Sequence, residues 1–450
     1  MQRLSLTFLS LAALPALAAA QPQQLLQPGA TLRLSLKQAV AIALAPEGNT
    51  QVQLAGEATR QAQARSAEAR AALLPNLDSY VTEQSETENL ASFGFHFQIP
   101  IPGFVFPTFV GPFRVFDARV QATQSVFDFS SIRRLQASRA GVRASEADKE
   151  NAADLTTAQV AQFYMAALAA QAHVEAARAN LDLTEATEKL AENRKNAGTG
   201  TGIEVTRALV EVADARQRLL VAQNDQRQAR LQLLRAIGVR LETEVELTDK
   251  LTYTPVPGAP LNETIASALA ARPDLKAQRT REDNARLSYS ATKFERLPSL
   301  SAFGNYGSIG TGLDNALPTR DLGISMRLPI FDGGRRDARR TESLSEFRQE
   351  QIRTADLRQQ VELEIRLALD SLRSAEDQLK VAGEGLEQAE REVAQAERRY
   401  DAGVANSLEP IDAQTRLARA RDNRISALLA YNIARINLGQ ATGTIRQVIQ

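Results

Sequence analysis

From Ile365 onward an apolar residue returns every third or fourth position: Ile365, Ala368, Leu372, Ala375, Leu379, Ala382, Leu386, Ala389, Val393, Ala396 and Tyr400. That spacing predicts a helix meeting its neighbour along a narrow heptad seam, with alanine on alternate rungs letting two backbones come close. The positions between are mostly charged or amide-bearing, so the rest of the surface faces water. A matching seam runs through Val205, Ala208, Val212, Ala215, Leu219, Ala222, Gln226, Ala229, Leu233 and Ala236. Long helices are predicted over 131–197 and 335–402, and return helices over 202–237 and 407–441. At about 1.5 Å per residue each long helix is a rod of roughly 100 Å. No compact domain needs such a rod.

Elsewhere the period changes to two. In "DLGISMRLPI", Leu322, Ile324, Met326, Leu328 and Ile330 alternate with Asp321, Gly323, Ser325 and Arg327, which predicts a strand with one apolar and one wet face over 321–331. Noisier alternation predicts further strands over 77–87, 115–127 and 299–308. Polar, alanine-rich helices precede them, one over 51–73 that Pro75 ends and one that Pro273 opens. The segment Phe93 to Phe116 holds half of the 16 phenylalanines and four prolines, which predicts a long loop rather than a helix.

These elements come in two sets. Gly198, Glu204, Ala208, Ala229, Leu233 and Gly238 recur 205 positions later as Gly403, Glu409, Ala413, Ala434, Leu438 and Gly443. "LLPNL" at Leu73 recurs as "RLPSL" at Arg296, and "SVFDFSSIRR" at Ser125 recurs as "LPIFDGGRR" at Leu328. The expected organisation is a first repeat over 21–250, a Pro-containing linker over 251–260 and a second repeat over 261–450.

Composition narrows the function. Residues 1–20 carry Arg3, an apolar run from Leu4 to Leu17 and three small residues, the pattern of a secretory signal cut near Gln21. No later stretch supplies 18 uninterrupted apolar residues, so no transmembrane helix is expected. Fifty-three basic and 53 acidic residues balance, which gives no field to gather nucleic acid. Cysteine is absent, and His96 and His173 are not spaced as metal ligands. "GTGTG" at Gly198 joins two helices and lacks the Lys-Ser/Thr of a phosphate loop. No cofactor and no enzymatic activity are expected.

An exported sheet with one apolar face points to an outer-membrane barrel, but four strands leave two open edges and the smallest spanning barrel needs about eight. The barrel would be shared: three copies give twelve strands, with twelve helical columns in a second barrel beneath. A periplasmic coiled-coil scaffold is the rival that the heptads alone would favour, and an outer-membrane enzyme the third reading. The strands argue against the scaffold, and no reactive constellation supports the enzyme.

The signal sequence, the two-fold repeat, the "LPIFDGGRR" junction and the "RYDAGVANSLEPIDA" turn together resemble the outer-membrane efflux protein family typified by TolC. The resemblance implies an α+β membrane fold, a homotrimer with a 12-stranded outer-membrane barrel continuous with a periplasmic helical tunnel. It implies an exit duct of a tripartite efflux or type I secretion system, gated at the periplasmic tip and opened by a periplasmic adaptor and an inner-membrane transporter.

Those implications fall on particular residues. The tip would be the two turns, where Gly198 and Gly403 end the long helices. Glu409 and Asp412 share a helix face and match the family's acidic constriction, while Thr201 with Glu204 and Asn406 with Glu409 also have capping-box spacing, so Glu409 fits either role. Tyr400 matches a family tyrosine that latches the closed tip to an acid, here Glu204, and equally finishes the heptad seam. Ala405 stands where some members have an arginine that forms a second latch. Arg194, Gly198, Arg398 and Gly403 are the adaptor-docking candidates, the two arginines also suiting the carboxyl ends of their helices. Arg133, Arg134, Arg335 and Arg336, with Arg339 and Arg340 behind them, follow the strands and suit anionic headgroups of outer-membrane lipid.

Overall fold

The computed structural model describes residues 31–94, 108–258 and 260–449. The first half of the chain contains β1 (Leu32–Leu34), α1 (Leu36–Leu44), α2 (Thr50–Ala71), β2 (Asn76–Asn89), β3 (Phe109–Phe127), α3 (Phe129–Asn196), α4 (Gly202–Ile237) and β4 (Val245–Leu247). The second contains α5 (Leu261–Ala271), α6 (Pro273–Phe294), β5 (Ser299–Gly310), β6 (Leu317–Arg327), α7 (Arg335–Asp401), α8 (Leu408–Thr442) and α9 (Ile445–Ile449). The proposed cleavage site and His96 lie outside the described residues.

The long helices form where the seams predict them, and burial follows the rungs. On α7, nine of the eleven seam positions from Ile365 to Tyr400 are buried, Ala382 and Leu386 being half-buried. Near the strands α3 packs against α2 and α6, and α6 packs against α7; further along, α3 packs against α4 and α8, and α8 against α7. The helices thus lie side by side, each held by a thin stripe of small apolar residues.

β2, β3, β5 and β6 form one antiparallel sheet in that order. Register places Leu77, Val81, Val120, Tyr306, Leu322, Ile324 and Met326 on one face and Asp78, Thr82, Gln121, Asn305 and Asp321 on the other. The apolar face is bare: Leu322 is 90% exposed and Ile324 72%. β2 and β6 are unpaired along their outer edges among the described residues. Such a sheet does not belong on a soluble scaffold.

Two strands depart from expectation. β3 begins at Phe109, so it takes in the end of the segment read as a Phe/Pro loop, whose residues 95–107 lie outside the described residues. Pairing slips between Glu86 and Glu88, which puts the Gly111–Pro112 step in a bulge, and residues 109–115 pair only with β2; proline is tolerated there because no ladder donor is lost. β6 occupies 317–327 rather than 321–331. Its last rung pairs Arg327 with Ser299, and Pro329 and Pro298 flank that rung without N–H groups. Leu328, Ile330 and Phe331 consequently leave the sheet with their side chains exposed.

Around the middle of the rods, two lobes that no periodicity announces cover the helices. In the first, β1 pairs with β4 in parallel and α1 packs on α3 and α4. Its core joins Leu34, Ala39 and Ala43 to Tyr164, Leu168, Leu234 and Ile237. The Tyr164 hydroxyl donates to Leu34 O and lies 2.9 Å from both that oxygen and Asp249 Oδ2, while Asp249 Oδ2 also accepts from Leu36 N at 2.8 Å. Burial and the Asp249 carboxylate push the phenol well above its ordinary range. Tyr164→Phe is expected to lower the melting free energy by about 1–2 kcal/mol, because a buried acceptor loses its donor.

Candidate functional site

The two hairpin turns are built alike. Gly198 and Gly403 sit at φ +78° and +74°, the left-handed conformation that ends α3 and α7. The amides behind them fold back onto the last helical turn, Thr199 N to Arg194 O and Val404 N to Arg399 O, each at 3.0 Å.

Side chains then tie the turns to each other. The Arg194 guanidinium of α3 lies 4.2 Å from the Tyr400 ring centroid of α7, and its Nη2 would sit 3.7 Å from a Cβ placed on Gly403. Tyr400 is 2% exposed, and its hydroxyl has no hydrogen-bond partner among the described residues. The expected Tyr400–Glu204 bond is not made within the chain: Glu204 Oε2 accepts from Thr201 N at 3.1 Å and starts its own helix. The missed contact is therefore a cation on an aromatic face, worth about 0.5–2 kcal/mol. Arg194→Ala is expected to free the second turn, seen as faster proteolysis around Val404 to Asn406.

At the second turn, the equivalent capping box does not form. Asn406 Oδ1 accepts from Leu408 N at 3.0 Å, while the Glu409 carboxylate pairs with Arg399 at 2.8 Å. Arg398 is exposed and makes no ion pair or hydrogen bond through its side chain among the described residues. Asp412 is also exposed, on the face of α8 that neighbours Glu211 of α4. The Glu211 carboxyl is held above the usual range chiefly by burial, with Asp214 and then Asp412 adding to the rise and Arg218 opposing it. Glu211, which no motif or spacing singles out, joins the acidic face of this hairpin pair.

The arginines after the strands are engaged within the chain. Arg134 bonds Glu295, which Arg339 also reaches at 3.2 Å; Arg336 and Arg335 stand 3.5 and 3.9 Å from Asp332; Arg133 lies over the Phe294 ring at 5.7 Å. Glu295, only 11% exposed in its side chain, joins the start of α3 to the start of α7. Headgroup contact would have to share these guanidiniums with their carboxylates. Among the described residues, no group of three or more His or acidic side chains is placed to hold a metal, and His173 instead lies 3.0 Å from Asp422.

A family model described as outer membrane efflux protein matches residues 41–239 and 264–444, one segment in each half of the chain. Among curated proteins, the pyoverdine export outer membrane protein OpmQ of Pseudomonas aeruginosa is 28% identical over 314 residues, 67% of this chain and 64% of that relative. The match therefore spans just under two thirds of the relative's length. The alkaline protease secretion protein AprF of the same organism is 26% identical over 219 residues, 47% of this chain and 45% of that protein. Among solved structures, the CmeC outer membrane channel of Campylobacter jejuni superposes with a TM-score of 0.77 at 19% identity, covering 91% of this chain and 86% of the other. With the family model matched over most of the chain and the channel fold reproduced along nearly the whole described chain, this protein belongs to the outer membrane efflux protein family and resides in the outer membrane with a periplasmic helical extension.

Proposed function

We propose that three copies of this chain form an outer-membrane exit duct, a 12-stranded barrel above a periplasmic helical tunnel. The observation that carries the reading is the four-stranded sheet, apolar and bare on one face and open at both edges. Closing it removes both edges and turns the apolar face to lipid. The helices support the same symmetry: Leu209, Leu220 and Leu231 of α4 and Leu363 and Leu367 of α7 are exposed on the outermost helices of the row, where a neighbouring copy would cover them.

In this reading the duct is the outer component of a tripartite efflux or type I secretion system. Names of relatives mention pyoverdine export and protease secretion, which supports an export role and leaves the cargo class to the pump. A periplasmic adaptor would dock at the turns bearing Arg194, Gly198, Arg398 and Gly403. The Arg194–Tyr400 stack would hold the tip shut, and Glu409 with Asp412 would form the acidic constriction. Glu204, bonded to its own turn, supports the latch only indirectly.

The test is the native mass and planar-bilayer conductance of detergent-extracted protein. Three chains per particle and small cation-selective currents are expected. A monomer that stays in solution without detergent and carries no current would sink the duct and restore the scaffold.

A further inference from the structure

Near the strands the helices stand in the order α2, α3, α6, α7, so α3 meets α6 inside the chain while α2 and α7 end the row. The inner seam is tight. Ala137, Ala140, Ala144 and Ala147 of α3 and Ala277 and Ala291 of α6 are at most 5% exposed. Asn284 Nδ2 donates to Ala137 O at 2.6 Å, and Arg281 bonds Asp148 at 2.5 Å. Steps of three and four along α3, and of seven from Ala277 through Asn284 to Ala291, make this a heptad seam.

The offsets between the two halves of the sequence carry that seam onto the two ends of the row. α3 corresponds to α7 at 205, which sets Val160 on Ile365 and Ala191 on Ala396, all four buried. α2 corresponds to α6 at 223, which sets Thr50 on Pro273 and Ala71 on Phe294, the first and last residues of two 22-residue helices. Ala137 and Ala147 thereby become Glu342 and Ile352 of α7, and Ala277, Asn284 and Ser288 become Leu54, Gln61 and Arg65 of α2. All five are exposed, where the residues of the inner alanine seam are buried.

Across the inner seam Gly141 faces Asn284, whose Nδ2 would stand 3.3 Å from a Cβ at Gly141. The same offsets put Arg65 opposite Glu342 and Leu54 within one residue of Ile352. Neither Arg65 nor Glu342 makes an ion pair or hydrogen bond through its side chain among the described residues. Leu54 and Ile352 are 58% and 69% exposed. A register fixed elsewhere in the chain thus brings a free cation to a free anion and a bare leucine to a bare isoleucine.

We propose that this flank of α7 seats α2 of the next copy, antiparallel, with Ile352 against Leu54 of that copy and Glu342 paired with its Arg65. The inference rests on the three-copy duct and names the surfaces that meet just below its barrel. Burying the apolar pair drives the contact, and the opposite charges fix its register. The same operation carries the β3–β5 pairing onto β6 and the next copy's β2, the two open edges of the sheet.

The chain has no cysteine, so introduced pairs report alone. In full-length detergent-extracted protein, Leu54→Cys with Ile352→Cys is expected to oxidise into covalent dimers and trimers, while either single variant leaves separate chains. Leu54→Cys with Gln351→Cys, a residue about 100° round the helix from Ile352, should lose the crosslink. Arg65→Glu should reduce the three-chain fraction that survives mild heating, and adding Glu342→Arg should restore it. Three-chain particles in which the first pair stays open, crosslinks no better than the second, or closes within single chains overturn this seam and leave the duct standing. A charge exchange that fails to restore the particles overturns the pairing of Arg65 with Glu342. Single chains in the parent protein overturn the duct and the seam together.

Discussion

Arginine at both Leu322 and Ile324 is expected to abolish stable residence in the outer membrane. Both side chains project from the bare face of β6, and their partners across the sheet, Gly304 and Ala302, offer nothing to pair with a charge. An arginine on the lipid face of a barrel near the bilayer midplane costs about 2–4 kcal/mol. Two per chain cost about 4–8 kcal/mol, as much as the whole net stability of many folded proteins, about 5–15 kcal/mol. The matched control is Ser325→Arg, one residue along and on the opposite, polar face, which should insert normally. The readout is the fraction of protein recovered in outer-membrane vesicles as a heat-modifiable oligomer. Equal recovery of the double variant and the control would mean that the apolar face does not meet lipid.

The face alternation behind that prediction was legible in the sequence; the strand ends were not. The ranges expected for α3, α4, α7 and α8 lie within two residues of those observed, and on α4 and α7 the seam that predicts them is sustained over ten rungs or more, which averages out local noise. β6 slid by four residues because alternation alone extends through Leu328 and Ile330, whereas pairing stops where Pro298 and Pro329 remove the next donors. β1 and β4, three residues each, are too short to carry a period. The turns were found from their glycines, but their side-chain traffic was not. Glu204 and Glu409 have the same spacing from a capping residue, yet one caps its helix and the other reaches Arg399, because Arg399 stands across the second turn while Arg194, which holds the matching place in the first, is turned onto the Tyr400 ring. Such choices depend on which cation lies within reach in space, and linear spacing does not encode that.

The acidic face at the tip leads to the second large effect. If Asp412 lines the closed constriction, block of the current by a trivalent cation should weaken about tenfold or more in Asp412→Asn, since rings of carboxylates set cation affinity at such a site. Arg399→Ala should act oppositely, because it releases Glu409 from its 2.8 Å ion pair and returns that charge to the ring. Glu211 adds a pH dependence with a definite sign. Its carboxyl is raised in the folded protein, first by burial, then by Asp214 and Asp412, so it takes up a proton on acidification before an ordinary glutamate does. Its contribution to stability is complete at acid pH, below the unfolded value, and is lost as pH rises through the raised folded value. Acidification should therefore weaken cation block and firm the packing around Glu211 together. Glu211→Gln should remove that acid-side change and carry the weakened block up to neutral pH. Asp412→Asn should shift it to lower pH without removing it, because Asp412 is a lesser cause than burial or Asp214. Block that ignores both Asp412→Asn and acidification would place this face of α8 outside the conduction path, and the constriction would have to be sought on another face of the hairpin pair.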